Sequence, residues 1–429
     1  MAWSFRWGGP TTQVQPGLFQ FNIVGDPPPE AWNRVQRYAS WMRRVYLVGW
    51  FLGGDTITKL RQNSPPGGWF PAMRNLSWNL GGSANIPYAD LFFSPHLEVI
   101  HIFVTWNGSE IPRDVLPSVA TAISALPTSS LKRIRTEITH PAAQTYLTDS
   151  LSSVVLRCGP SLTEFRAPMP LTDAAITHLA QLPNLLSWHI RCLPPTYSTS
   201  SLPLVFPPLT KLVLEDGAPR GWFSLFKHLD RDVSSTRPLS RVKKSLESLV
   251  VIYPSNTIID VSSTSAIQVF CNLVDINVMD SCYDTNGRNR CVFRLKNDDV
   301  AEFAAALPRL EILHLGSPCS GNTCVTTIAC LLLISIHCVK LRELSIHFNT
   351  TNIIDDLQNI SVDPRFQALR SLPRCTLSCL DVYQMPLNLN AAGFETVANG
   401  MVDIFPSLEW CRALEGNLGW EELTDRIEV

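Results

Sequence analysis

The chain has 429 residues, 45% of them apolar and only 17% charged, with 35 basic against 37 acidic side chains for a formal net charge of −2. A balance so close to neutral gives no global electrostatic case for nucleic acid or an anionic membrane as partner. The longest apolar run, Ile328 to Ile336, is far short of the ~20 residues of a membrane span, and Met1 to Pro10 lacks the continuous apolar segment of a secretory signal.

Residues 1–29 are polar, contain Gly and Pro, and close on Asp26-Pro27-Pro28-Pro29, with Glu30 next. They read as a flexible leader running into a helix start. Trp32, Val35, Tyr38, Met42 and Val45 then share one helical face, with Arg34, Arg37, Arg43 and Arg44 elsewhere. A stack of repeats needs its first apolar edge covered, so residues 30–72 are assigned to an N-terminal cap. Eight of the twelve Trp lie before residue 107, in keeping with a cap of bulky side chains.

From Met73 onward the spacing L-x-x-L-x-L recurs twelve times. The series opens on Met73-Leu76-Trp78 and continues with triples beginning at Leu97, Leu131, Leu162, Leu185, Leu209, Leu246, Leu273, Leu310, Leu341, Leu377 and Leu408. In six units a Pro stands two residues before the first Leu: Pro95, Pro160, Pro183, Pro207, Pro308 and Pro406. Pro cannot continue a helix and biases its predecessor toward extended backbone, so it separates a helix from the strand that follows.

Amphipathic stretches precede several units. Val115, Val119, Ala122, Ile123 and Leu126 come before Leu131. Leu171, Ala175, Leu179 and Leu182 come before Leu185, with Thr172 or Asp173 placed to cap the start. Val300, Phe303, Ala304 and Leu307 come before Leu310, Val325 to Ile336 before Leu341, and Phe394, Val397, Met401, Ile404 and Phe405 before Leu408.

Helix, break and short strand in repetition demand parallel strands, because each helix returns the chain to the same edge. The expected fold is therefore an α/β leucine-rich-repeat solenoid, a horseshoe with a curved parallel sheet and convex-side helices. It spans residues 30–429: about twelve irregular repeats over 73–415 and a tail over 416–429. Successive first positions lie 23 to 37 residues apart, longer than the usual ~20–29, so most repeats carry extra loop. Two such insertions stand out. Gly217 to Ser245 holds the basic run Arg231, Arg237, Arg241, Lys243 and Lys244, and Asp280 to Lys296 holds the tight-turn pair Asn286-Gly287.

Chemistry-bearing motifs are missing: there is no phosphate loop, dinucleotide fingerprint, His-Glu-x-x-His or Gly-x-Ser-x-Gly. The twelve Cys form no disulfide framework, and Cys319, Cys324, Cys330 and Cys338 lack the paired C-x-x-C of structural zinc. No catalytic residue, metal ligand or cofactor is assigned. Scattered thiols without a secretion signal point to the cytosol or nucleus.

Side chains alternate along a strand, so residues three, five and seven of each unit should face the open, concave side of the sheet. These supply the candidate partner-binding row: Arg133, Arg135, Glu164, Arg166, His189, Arg191, Lys211, Glu215, Asp275, Glu343, His347, Asp381 and Tyr383. The partner expected there is a protein, with no nucleic acid and no membrane.

Five stretches resemble fungal F-box/leucine-rich-repeat proteins: Phe92 to Leu97, Leu171 to Trp188, Ser317 to Cys324, His337 to Leu341 and Ile404 to Glu409. The likeness covers roughly residues 30–429. In that family the F-box docks to the Skp-type adaptor of a cullin ubiquitin ligase, and the repeats recruit the substrate. The resemblance therefore implies a substrate-recognition role. Only the short leader precedes the cap helix, so adaptor and cullin are expected as partners only if an F-box is supplied. The alternatives are a scaffold that works without the adaptor and a carbohydrate-active parallel β-helix enzyme.

Overall fold

A computed structural model describes residues 13–15, 18–19, 26–48, 54–65, 68–79, 91–103, 115–138, 141–191, 208–215, 245–253, 258–259, 264–265, 267–280, 292–316, 324–369, 375–382, 387, 389–412 and 418–427. The basic run at 231–244, the Asn286-Gly287 pair, Cys319 and Tyr383 lie outside them. The chain divides into two compact units, Met1–Pro194 and Pro195–Val429.

The first unit opens with two short antiparallel strands, β1 (Gln13–Gln15) and β2 (Leu18–Phe19). Helix α1 (Pro29–Ala39), strand β3 (Arg44–Val48) and helix α2 (Gly54–Gln62) follow. Then come β4 (Asn75–Asn79), β5 (Val99–Phe103), α3 (Val115–Ser124), β6 (Arg133–Glu137), α4 (Pro141–Arg157), β7 (Glu164–Ala167), α5 (Asp173–Gln181) and β8 (Ser187–Arg191). Strands β3 to β8 pair in chain order, every neighbour parallel.

The second unit holds β9 (Lys211–Glu215), β10 (Ser248–Tyr253), β11 (Ile258–Ile259), β12 (Asp275–Asp280) and β13 (Val292–Phe293). It continues through α6 (Asn297–Ala306), β14 (Ile312–Gly316), α7 (Ala329–His337), β15 (Glu343–Ile346), α8 (Ile353–Val362) and α9 (Pro364–Leu369). Last are β16 (Cys379–Asp381), α10 (Ala391–Ile404), β17 (Trp410–Arg412) and α11 (Leu418–Ile427). Its ladder runs β9, β10, β12, β14, β15, β16, β17, again parallel throughout. The remaining pair, β11 and β13, forms a small parallel ladder of its own.

Every one of the twelve sequence triples lands on a ladder strand, with its described first, fourth and sixth residues buried in the core; Ala413, the last of the twelfth, lies outside the described residues. Leu97, Ile100 and Ile102 have no accessible surface, nor do Leu310, Leu313 and Leu315. Burying one such side chain contributes roughly 1.5–3 kcal/mol, so each repeat closes its own layer of core. Helices stack alongside: α3 on α4 and α4 on α5 in the first unit, α6 on α7 and α10 on α11 in the second. The α/β leucine-rich-repeat solenoid is thus the architecture of both units. Helical returns between strands exclude a β-helix coil.

The repeats are locked by one recurring backbone bond set. The carbonyl before each strand accepts two N–H groups from the next repeat. Glu98 O takes Lys132 N (2.7 Å) and Arg133 N (3.0 Å), and Lys132 O takes Thr163 N (2.8 Å) and Glu164 N (3.1 Å). In the second unit Val274 O takes Glu311 N (2.8 Å) and Ile312 N (3.1 Å), and Glu311 O takes Arg342 N (2.8 Å) and Glu343 N (3.1 Å).

Some boundaries differ from the sequence reading. The cap helix ends at Ala39, and Val45 lies on β3 rather than on its face. Val45-Tyr46-Leu47-Val48 is a β-branched and aromatic run that favours extended backbone. Met42, Val45 and Leu47 carry the repeat spacing themselves, so the parallel ladder begins one strand before Met73. The 416–429 segment is not a plain tail, since it contains α11. Helix α4, at 17 residues the longest among the described residues, is hard to read in the sequence because Ser and Thr dilute its apolar period. Val325 is 55% exposed and precedes α7.

One capping expectation holds. Thr172 caps α5, its Oγ1 accepting from Ala175 N at 3.4 Å. Trp32, Ile57, Trp69, Leu91 and Phe92 form an aromatic-rich cluster, with the Trp32 and Trp69 rings 5.6 Å apart.

Candidate functional site

Alternation along the strands leaves one face of each ladder turned away from the helices. In the first unit two rows of side chains cross it. One runs Arg44, Asn75, Val99, Arg133, Glu164, Ser187, and the other Tyr46, Ser77, His101, Arg135, Arg166, His189. Tyr46 is 74% exposed at the free edge. Asn79, Phe103, Glu137 and Arg191 lie one pleat further along.

The centre of this face is a block of four charged residues on β6 and β7. Arg133 registers with Glu164, and Arg135 with Arg166. The ion pair forms across the block: Arg135 Nε donates to Glu164 Oε1 at 2.7 Å and Nη2 to Oε2 at 3.0 Å. That carboxylate pushes the Arg135 guanidinium above its ordinary value. Arg133 and Arg166 sit on the other diagonal, both exposed, and neither has an ion pair among the described residues. Beside the block, His101 Nε2 lies 3.3 Å from Glu137 Oε1.

Of the residues assigned from sequence, Arg133, Arg135, Glu164 and Arg166 come together here. His189 shares their row but is 9% accessible, so it is a buried member of the row rather than an exposed one. Arg191 is half-buried at the end of β8.

The second unit presents a different surface. Its rows are Lys211, Ser248, Asp275, Ile312, Glu343, Cys379, Trp410 and Val213, Val250, Asn277, His314, Ser345, Asp381, Arg412. Val213, Val250, Ile252, Met279 and Ile312 are half-buried on this face. The first four adjoin as an apolar patch that a search for charged residues passes over, while Ile312 stands apart beyond Asp275 and Asn277. Reading the third, fifth and seventh positions regardless of residue type would have found it.

Toward β17 the face turns ionic. Glu343 Oε1 lies 3.2 Å from His314 Nε2 and 3.8 Å from Arg412 Nη2. Ser248 Oγ donates to Asp275 Oδ2 at 2.8 Å. Lys211 is exposed, and Glu215 and Asp381 are half-buried. His347 lies past the end of β15, 5% accessible, and its carbonyl accepts the Cys324 thiol at 3.1 Å. It belongs to the packing rather than to the face.

The buried thiols Cys158, Cys338, Cys375 and Cys411 are structural. Cys338 Sγ lies 3.6 Å from Ala304 O, and Cys375 Sγ lies 3.2 Å from Cys338 O. Burial pushes Cys158, Cys338 and Cys411 up to about 12 and Cys375 up to about 11. Such thiols stay protonated at neutral pH, whereas nucleophiles and metal ligands need the thiolate. Among the described residues no group of three or more His, Cys, Asp or Glu side chains could hold a metal ion. No helix among them is long and apolar enough to cross a membrane.

No family model matches the chain, and no curated protein matches it by sequence. Among solved structures it is similar to a chain of the yeast Rad7–Elc1 complex, with 14% identity and a TM-score of 0.36, over 82% of this chain and 78% of that one. The fold assignment rests on the parallel ladders and their buried triples.

Proposed function

We propose that this chain is a non-catalytic protein-recognition scaffold that holds a partner on the open faces of its repeat ladders. The observation that carries the reading is the division of labour along each strand. The inward positions are committed to core, while the outward ones form side-chain rows of mixed chemistry on a regular backbone. In this reading the rows act as a binding surface, and the second unit contributes its apolar patch of Val213, Val250, Ile252 and Met279. Apolar side chains at the centre of a recognition surface supply most of its energy, with charges setting orientation at the rim.

A finer form of the proposal follows from the resemblance in the sequence. The repeats would serve as the substrate-binding part of an F-box-type ubiquitin-ligase receptor. The second reading is a scaffold that holds its partner without any ligase.

Photo-crosslinking tests the scaffold directly. A crosslinking amino acid at Ser77 or Val250, on the open faces, is expected to trap a co-purifying protein. The same group at Gln358, exposed on α8, is expected to trap none. Labelling from Gln358 alone would move the binding surface to the helices. Mixing the purified chain with a Skp-type adaptor and cullin, with and without a grafted F-box, separates the ligase form from the free scaffold.

A further inference from the structure

The open face of β3 to β8 carries five arginines, Arg44, Arg133, Arg135, Arg166 and Arg191, against two glutamates, Glu137 and Glu164. That is a local net of +3 on a chain whose formal charge is −2. Glu164 holds Arg135 with both of its oxygens. Arg133 and Arg166, exposed at opposite corners of the same block, are left to meet something else.

Their separation is set by the sheet. They stand on adjacent strands, ~4.8 Å apart, and are offset by two residues, ~6.6 Å, so their backbones lie about 8 Å apart on the diagonal. Carboxylates on residues i and i+2 of an extended peptide are spaced by nearly the same step, because such side chains leave one side of the strand every second residue.

We propose that the block Arg133–Arg135–Glu164–Arg166 is a docking site for an extended acidic peptide segment of the partner. The segment carries two carboxylate side chains at alternate positions, one for Arg133 and one for Arg166. The Arg135–Glu164 pair is a pre-neutralised floor between them. Its bidentate geometry keeps Glu164 from turning to Arg133, the residue it registers with, and so keeps both outer guanidiniums available. A guanidinium binds carboxylate in a planar, two-pronged manner that an ammonium cannot copy.

Polyanions fit less well. Nucleic acid draws its affinity from many phosphates neutralised at once, whereas this block offers two uncommitted cations with Glu137 beside it. The inference rests on the scaffold reading above and narrows it to one partner chemistry on one face.

The test uses the full chain and short fluorescent synthetic peptides, read by anisotropy at low and physiological salt. One peptide carries glutamates at alternate positions in a serine background, and a second carries the same glutamates side by side. The alternating peptide is expected to bind more tightly, with affinity that falls as salt rises. R133E and R166E are each expected to weaken it by about tenfold or more, and the charge-removing R133Q by less. Unchanged melting temperatures for these exposed positions would show that folding is intact.

Equal affinity for both peptides, or no loss in R133E and R166E, overturns the site. Tighter binding of a single-stranded oligonucleotide of equal charge also overturns it. A partner that crosslinks from Val250 but ignores R133E and R166E would refute this inference and leave the scaffold reading standing. A chain that traps nothing from either open face would remove the scaffold reading instead.

Discussion

The hydroxyl of Thr424 on α11 stands in for a missing strand at Cys411. Trp410 N donates to Ser378 O, and Arg412 O accepts from Val382 N, so the residues on either side face β16. Cys411 therefore turns its backbone N–H and C=O to the free edge of β17. Thr424 Oγ1 meets both, accepting from Cys411 N at 3.1 Å and donating to Cys411 O at 2.7 Å. An open sheet edge is a template for pairing with another chain, and here one side chain closes it.

Thr424→Val keeps the shape and removes both bonds. The expected cost is about 1–3 kcal/mol, because the buried strand groups lose their partner without gaining water. Urea unfolding measures it, and amide exchange at Cys411 should quicken. An unchanged midpoint together with unchanged exchange would show that the edge does not depend on this hydroxyl.

Thr136 should behave in the opposite way. It occupies the sixth position of its repeat, fully buried, and among the described residues its Oγ1 has no hydrogen-bond partner. Thr136→Val replaces a stranded polar atom with a methyl group of the same size and is expected to stabilise by about 1 kcal/mol. A lower melting temperature in the variant would reveal a partner for that hydroxyl.

Core and face substitutions should separate cleanly. Leu313→Ala removes a side chain with no exposure and is expected to cost about 2–5 kcal/mol. Arg166→Glu is expected to change stability by less than about 0.5 kcal/mol. Chemical denaturation of both variants checks the pair, and similar costs for the two would contradict the division between inward and outward positions.

Alkaline pH should destabilise the chain through its buried thiols. Their folded values, about 12 for Cys158, Cys338 and Cys411 and about 11 for Cys375, lie above the ordinary 9.0. The unfolded chain therefore loses these protons first. Stability from the neutral thiols is complete below pH ~9 and falls as pH rises through 11 to 12. Urea midpoints measured from pH 8 to 11 should fall, and the fall should be shallower in Cys338→Ala, which has one buried thiol fewer to ionise. At pH 8, a thiol alkylator should label the exposed Cys271 well before Cys338 or Cys375.

The ladder was legible because its rule is strict. A side chain on a strand faces either core or solvent, and the Leu triples advertise which. The same rule placed Arg133, Arg135, Glu164 and Arg166 together. What stayed hidden depends on contacts between distant segments. The Thr424 cap joins positions with no shared pattern, and the β3 strand was masked because Val45 also completes a helical period with Trp32 and Val35. His347 was assigned to the face by counting two beyond Ser345, but β15 ends at Ile346. The count runs past the strand that justifies it.

The doubled carbonyl bond at each repeat junction has a consequence for how such a chain can change. Register is set where one strand meets the next and not by the length of the return between them, so intervals of 23 and of 37 residues enter the stack on equal terms. A duplicated repeat would arrive with its inward and outward positions already sorted and its acceptor carbonyl in place. Growth by copying is therefore cheap in this architecture. Among descendants of such a chain, length differences should collect in the returns, while the face is rewritten one outward residue at a time.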